Sequence, residues 1–222
     1  MNSFNFRPLW RYEDAFIEGI LTTLKLAFQA GAIGLVLGLV CALLLGRNNR
    51  LITLIIRSYI ELIRNTPPVI QIFIIFFVLP TIGLRLPPFE ASVVALTLYF
   101  GAFVTEIVRS GLSSIPRSQL EAGHCLGLTS IQVFLHVTML PALRNIYPSL
   151  TSQFILLLLG TSVASFISTE ELFHTAAFVD SRTFRSFEVY ALISALYVAM
   201  VVAFRLLFFA FGKLAFRWPI AR

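Results

Sequence analysis

The sequence predicts an all-α integral membrane protein with five transmembrane helices. Hydrophobic residues make up 58% of the 222 positions, charged residues make up 13%, and the mean hydropathy is +0.86. Soluble domains carry about 45–50% apolar and about 25% charged residues, so this chain has too few polar side chains to cover a water-soluble globule. The composition therefore excludes a soluble enzyme and a disordered regulator.

The first predicted span covers residues 20–45, in which Lys25 is the only charge. At about 1.5 Å per residue this span exceeds the roughly 30 Å hydrocarbon core, so Lys25 is expected near its outer end, with its ammonium group in the interface. A stripe of small residues follows, consisting of Gly31, Gly34 and Gly38. Such a stripe permits close helix packing.

The second predicted span contains a bend. Residues 57–68 form an amphipathic stretch that ends in two prolines, which break or kink a helix. We therefore expect a helix near the inner interface, a kink, and a crossing over residues 69–82. The third span covers residues 90–109, where the spacing of Glu106 and Arg109 favours a local ion pair over a transport role.

Residues 110–148 form the longest polar region. Its second half contains an amphipathic piece, residues 131–140, which Pro141 is expected to end. The fourth span is predicted over residues 149–167 and the fifth over residues 189–211.

The distribution of basic residues predicts the orientation. With the N-terminus outside, nine basic residues fall in inner segments and five in outer segments. The inner set is Arg47, Arg50, Arg57, Arg109, Arg117, Arg144, Lys213, Arg217 and Arg222, and the outer set is Arg7, Arg11, Arg85, Arg182 and Arg185. The positive-inside rule therefore favours an outer N-terminus and a cytoplasmic C-terminus. In this single domain, residues 1–19 form an outer segment, residues 20–212 the five-helix core, and residues 213–222 a cytoplasmic tail.

Sequence features typical of nucleic-acid binding, metal binding, secretion and catalysis are missing from this sequence. The net charge is +6, but the basic residues stand singly, so we expect no nucleic-acid partner. Cys41 and Cys125 form no CxxC pair, and we expect no metal site. Residues 1–18 do not resemble a signal peptide. Without a Walker, G-x-S-x-G or H-E-x-x-H motif, the chain is expected to be neither an enzyme nor an ATP-binding protein.

From the residues alone, Ser118 can cap a short helix that carries Glu121 and ends at Gly127. Small residues at positions 122 and 123 would give this helix a thin face able to enter a cleft on a partner, and Glu121 offers a carboxylate to an arginine there. A solvated interfacial helix is the plainer interpretation.

Several motifs resemble a known family. Glu121-Ala122-Gly123, followed by Gly127 and Leu140-Pro141, resembles the Glu-Ala-Ala loop of permeases, the membrane subunits of ATP-binding-cassette importers. Further motifs resemble the polar amino acid branch, of the histidine, glutamine and glutamate type. They are Glu106 to Gly111 with Ser114-Ile115-Pro116 and Gln119, Glu61 to Pro67 with Gln71, Gly19 with Thr22 to Lys25, and Thr161-Ser162 with Glu171-Leu172. The resemblance covers about residues 15–212.

The sequence also departs from the family pattern. Gly123 replaces the last alanine of the Glu-Ala-Ala triplet, and Pro68 replaces a leucine. Pro141 lies one position later than the proline of the family, which is expected to redirect the chain break that follows the short Glu121 helix. Leu159 and Gly160 replace the lysine and aspartate that similar proteins carry before Thr-Ser. We therefore expect weak selection inside the membrane, or charges supplied by a partner permease.

The resemblance implies a type I importer-like permease in the bacterial inner membrane. As a homo- or heterodimer it would form the pathway for amino acid import, driven by a cytoplasmic ATPase dimer that binds ATP and Mg²⁺ and supplied by a periplasmic amino acid-binding protein. The chain itself would hold no cofactor. The implied coupling residues are Gln119, Glu121, Ala122, Gly123, Gly127 and Pro141. The implied pathway residues are Gln71, Glu106, Gly160, Thr161 and Ser162.

Two other functions remain open from the residues. The chain could be part of a secondary transporter or channel that uses Glu61 or Glu106 as a proton or ion site. It could also be a membrane scaffold without transport activity.

Overall fold

The computed structural model describes residues 5–47 and 49–216, and these contain helices but no strand. A 3-10 turn, Arg7–Tyr12, leads into helix α1, Glu13–Leu45. Helix α1 starts before the predicted span because Glu13 and Asp14 in its first turn suit the positive end of the helix dipole. Arg217 and Arg222 of the predicted cytoplasmic tail lie outside the described residues, as does the start of the predicted outer segment.

The predicted bend in the second span is confirmed. Helix α2, Arg50–Arg64, is followed by α3, Pro68–Phe73, which continues through a π-helical turn, Ile74–Val78, and a 3-10 turn, Leu79–Ile82. The two parts meet at an angle of 111°. Helix α2 is longer than expected because the Asn49 side chain caps it, accepting hydrogen bonds from the first-turn N–H groups.

The rest of the chain alternates long and short helices. They are α4, Pro88–Ser113; α5, Arg117–Cys125; α6, Ser130–Gln132, which continues through a π-helical segment, Val133–Met139; α7, Leu140–Gly160, which continues through a 3-10 turn, Thr161–Ile167; α8, Leu172–Thr183; and α9, Ser186–Ala215. Four helical stretches of the described residues are long and apolar enough to span a membrane, and the bent pair makes a fifth. The five predicted spans are therefore present in the predicted order.

The expectation that Pro141 ends a helix is wrong. Ser130–Ile167 is one helical rod of 38 residues that runs through Pro141 and Pro148. Pro141 is the second residue of α7, directly after the π-helical segment. The first N–H groups of an α-helix have no partner within it, so the missing N–H of Pro141 disturbs no hydrogen bond of α7.

Two glycines of the α1 stripe, Gly34 and Gly38, pack against α4, and the third, Gly31, packs against Phe154 of α7. A Cβ on Gly34 would lie 3.0 Å from the carbonyl oxygen of Thr97, and one on Gly38 would lie 2.9 Å from that of Gly101. Both partners advance by four residues in the same direction, so α1 and α4 are parallel. The predicted role of the stripe in close packing is confirmed, and these two helices form the centre of the molecule.

Candidate coupling segment and substrate pathway

Helix α5 lies between two spans and begins without a side-chain cap. Pro116, in an extended conformation, occupies the position before Arg117, and no side-chain hydrogen bond caps the helix there. The prediction that Ser118 caps this helix is therefore wrong. Pro116 accepts no such hydrogen bond through its side chain, but its fixed φ, −61°, suits the extended position at which α4 has ended and α5 begins.

The predicted end of α5 at Gly127 is confirmed. Gly127 has φ of +80°, the left-handed conformation that glycine adopts most readily. The N–H of Leu128 donates to the Gly123 carbonyl at 3.2 Å and that of Gly127 to the His124 carbonyl at 3.0 Å. This pair of hydrogen bonds is the Schellman motif, which satisfies the last carbonyls of a helix and turns the chain sharply.

A capping box that the sequence analysis missed starts the next helix. The Thr129 hydroxyl accepts from the Gln132 N–H at 3.4 Å, and the Gln132 side chain accepts from the Thr129 N–H at 2.9 Å. The T-x-x-Q spacing was a usable signal for it. Gly127 and Thr129 together fix the turn that joins α5 to the 38-residue rod.

The predicted coupling residues of α5 differ in exposure, and the two small ones, Ala122 and Gly123, lie on different faces of the helix. Gln119, Glu121 and Ala122 are exposed, whereas Gly123 is buried, where an added Cβ would lie 3.1 Å from Val133 Cγ2. The expectation that positions 122 and 123 share one thin outer face is therefore wrong. Gly123 instead lets α5 lie close against the π-helical segment, and Pro141 lies further along the rod.

Gln71 connects the two sides of the bend between α2 and α3. Its Nε2 donates to the Ile63 carbonyl at 2.8 Å, the Thr66 carbonyl at 3.0 Å and the Thr66 hydroxyl at 2.9 Å. The side chain is buried, and its Oε1 has no hydrogen-bond partner among the described residues. Through these hydrogen bonds Gln71, on α3, holds the end of α2 and the bend in place.

The predicted ion pair between Glu106 and Arg109 is present. Arg109 Nε donates to Glu106 Oε2 at 3.0 Å, and an Arg109 terminal nitrogen contacts the other carboxylate oxygen. Both residues line a cavity of about 630 Å³ between α4 and α7, which Ser110, Asn145 and Ser149 also line. The cavity therefore brings an ion pair, hydroxyl groups and an amide group together.

Gly160, Thr161 and Ser162 lie where α7 passes into its 3-10 turn. The Thr161 hydroxyl donates to the Leu158 carbonyl at 2.7 Å and the Ser162 hydroxyl to the Leu159 carbonyl at 2.8 Å. An added Cβ at Gly160 would meet no atom within 4 Å. Since twelve residues of helix separate Thr161 from Ser149, this group lies roughly 18 Å from the Glu106 cavity.

A buried carboxylate missing from the predicted site residues lies at the start of α8. Glu171 is fully buried and accepts from the N–H groups of Phe173 at 2.9 Å and His174 at 2.8 Å. Burial raises the pKa of this carboxyl above its usual range, while these hydrogen bonds act in the opposite direction. The Thr23 hydroxyl accepts from the Leu172 N–H at 3.1 Å, so two motifs from opposite ends of the sequence meet here.

Comparisons with known proteins give the family. Residues 34–218 match the family described as "Binding-protein-dependent transport system inner membrane component". A probable glutamine ABC transporter permease of Bacillus subtilis (strain 168) is 36% identical over 186 residues, covering 82% of this chain and 85% of that protein. An L-cystine transport system permease from the same organism is 34% identical over 188 residues, covering 85% of this chain and 80% of that protein.

Solved structures agree with these relatives. A chain of an amino acid ABC transporter crystallised with histidines has a TM-score of 0.89 and 35% identity, covering 96% of this chain and 99% of that chain. An inward-facing methionine ABC transporter has a TM-score of 0.74 at 19% identity, covering 92% of this chain and 98% of that chain, which supports the fold alone. The chain therefore belongs to the family of inner membrane components of binding-protein-dependent transport systems.

Proposed function

We propose that this chain is a permease subunit that forms, as a dimer, the pathway for amino acid import driven by ATP hydrolysis in a partner subunit. The main supporting observation is α5, an exposed nine-residue helix held between two spans by a glycine turn and a capping box. Relatives named for glutamine and cystine transport support an amino acid as the solute.

The rod of residues 130–167 gives this helix a mechanical connection to the membrane. In the proposed cycle, two ATPase subunits bind ATP and Mg²⁺, close on each other and move the α5 helix of each permease through contacts at Gln119, Glu121 and Ala122. Because the turn after α5 is hydrogen-bonded at both ends, the motion passes to the rod and reaches Gly160 as a rigid-body shift.

In this proposal the solute passes two groups of polar residues along the pathway. One is the Glu106 and Arg109 pair, which lines the cavity, and the other is the group from Gly160 to Ser162. Positions 159 and 160 carry no charge, so the proposal assigns most of the selectivity to an external binding protein. The second permease subunit is a copy of this chain or a relative, in a bacterial inner membrane with the N-terminus outside.

Two glycines provide a matched test of coupling. Gly127 has φ of +80° and Gly83 has φ of +91°, and an added Cβ at either meets no atom within 4 Å, so Gly127→Asp and Gly83→Asp introduce similar local strain. In proteoliposomes that contain the whole importer, Gly127→Asp should abolish ATP-driven uptake, and Gly83→Asp should retain it. Normal uptake by a correctly inserted Gly127→Asp protein would contradict the proposal.

The same preparation tests the secondary-transport alternative. Uptake should require ATP inside the vesicles and should persist when ionophores collapse the ion gradients. Uptake that follows an ion gradient without ATP, and is lost in Glu61→Gln or Glu106→Gln, would favour a secondary transporter.

A further inference from the structure

A basic groove separates α7 from α9 near the end of α9. It encloses about 570 Å³. Its basic lining residues are Arg144, Arg205 and Lys213, and none of the described residues that line it is acidic. The groove is distinct from the Glu106 cavity, with which it shares no lining residue. Neither ion pair of the described residues includes Arg205 or Lys213, so these two charges favour an anionic ligand.

Aromatic side chains line the groove beside these basic residues. The Tyr147 hydroxyl donates to the Phe208 carbonyl at 2.5 Å, and its ring packs on Phe211 and Phe216 with centroids 6.1 and 5.3 Å away. A Cβ on Gly212 would come within 2.9 Å of the Tyr147 ring, so glycine lets Tyr147 lie directly against α9.

Arg205 has an unusual position for a basic residue. It lies ten residues before Ala215, or about 15 Å inside the end of α9, and is exposed within an apolar span. Neither ion pair of the described residues includes it. A guanidinium group at this depth needs an anion or water, and arginine inside a membrane span is a functional signal. The topology prediction did not count this residue.

Lys213 provides a second positive charge closer to the helix end. Its ammonium nitrogen lies 4.4 Å from the centroid of the Phe209 ring. Eight residues separate it from Arg205, which is about 12 Å along the axis. Both side chains line the groove, so its positive charge extends over about two turns of α9.

The exposed face of α9 beside the groove is apolar and can contact acyl chains. Its exposed apolar residues near the groove are Leu206, Leu207, Phe209, Phe211 and Leu214. An anionic phospholipid combines a phosphate with two hydrocarbon chains, and this groove combines basic residues with an open apolar wall. We infer that the groove between α7 and α9 binds an anionic phospholipid, with Arg205 and Lys213 at the phosphate and the acyl chains along α9. This inference does not depend on the proposed function.

Lipid titration of the purified full chain, with any subunits that copurify, tests the site. Phosphatidylglycerol and phosphatidylcholine are added separately, and the unfolding midpoint is followed for the wild type, Arg205→Gln and Lys213→Gln. The matched control is Arg50→Gln, an exposed basic residue at the same end of the molecule but outside the groove. Phosphatidylglycerol should stabilise the wild type more than phosphatidylcholine, and each groove variant should weaken its apparent affinity at least fivefold, with Arg50→Gln unchanged.

Three outcomes would overturn the inference. The first is equal stabilisation by the two lipids, and the second is an equal loss of affinity in Arg50→Gln and the groove variants. The third is that a second copy covers the groove. With Cys125→Ser as background, disulfide cross-linking of Ser152→Cys, whose side chain lines the groove, between two chains in the membrane would reveal that copy. If Arg205→Gln does not fold, Lys213→Gln at the rim of the groove decides the result.

Discussion

The Tyr197 hydroxyl donates a 2.9 Å hydrogen bond to the carboxylate of Glu171, which is fully buried at the start of α8. The same carboxylate accepts hydrogen bonds from the N–H groups of Phe173 and His174, so this side chain caps α8 and also binds α9. The Thr23 hydroxyl of α1 accepts a hydrogen bond from the Leu172 N–H at the same helix start. These hydrogen bonds tie α1, α8 and α9 together.

The first prediction concerns this bond. Tyr197→Phe removes the donor and leaves a buried carboxylate oxygen without it, which should lower the free energy of unfolding by about 1–3 kcal/mol. Chemical unfolding in detergent measures the loss. Tyr190→Phe is the matched control on the same helix, since the Tyr190 ring packs on Phe173 and a phenylalanine keeps that contact. An equal effect of both changes would contradict the role assigned to Tyr197.

The second prediction concerns pH. Burial raises the pKa of Glu171 in the folded chain above the unfolded value of about 4.3, so the folded state holds its proton more tightly. This contribution to stability is fully present below the unfolded pKa and is lost as the pH rises through the folded pKa. Other carboxyl groups titrate in both proteins, so the difference between wild type and Glu171→Gln isolates this group. Relative to the variant, the wild type should lose stability from pH 4 upward, and a constant difference would contradict the prediction.

Some of these features could be predicted from the sequence and others could not. The end of α5 at Gly127 could be predicted because it depends on local backbone geometry alone. Glycine readily adopts the left-handed φ, here +80°, that ends a helix. The continuation through Pro141 could not be predicted, because it depends on a π-helical segment that no residue pattern announces. Glu171 and Tyr197 lie 26 residues apart, and only the packing of α8 on α9 brings them together. The positive-inside rule weighs the charges of loops, so it assigns no role to Arg205, which lies inside a span.

The third prediction concerns the contact between α1 and α4. Gly38→Ala places a Cβ within 2.9 Å of the Gly101 carbonyl oxygen, so the helices must separate and stability should fall by about 1–3 kcal/mol. Gly46→Ala, at the exposed end of α1, is the control and should cost less, since its nearest contact is 3.3 Å. Unfolding midpoints compare the two, and equal midpoints would contradict the close packing.

The fourth prediction tests the orientation. Ser181 and Ser118 are both exposed, on α8 and α5. Exposed Cys125 must first be replaced by serine, whereas buried Cys41 can stay. In intact cells an impermeant thiol reagent should label Ser181→Cys and reach Ser118→Cys only after permeabilisation. The reverse pattern would contradict both an outer N-terminus and a cytoplasmic α5.

The last prediction concerns selectivity in the membrane. Leu159 is 40% exposed, and a Cβ at Gly160 meets no atom within 4 Å, so both positions of the double variant Leu159→Lys with Gly160→Asp have open space beside them. Because an ionic group in a low-dielectric site needs a partner, these charges should add discrimination between cationic and neutral amino acids. With one binding protein, wild-type uptake should follow the affinities of that protein, and the double variant should favour some substrates several-fold. Leu156→Lys, exposed on the same helix, controls for charge alone. Loss of every substrate in the double variant, or a wild type that rejects amino acids its binding protein accepts, would contradict weak selection by this chain.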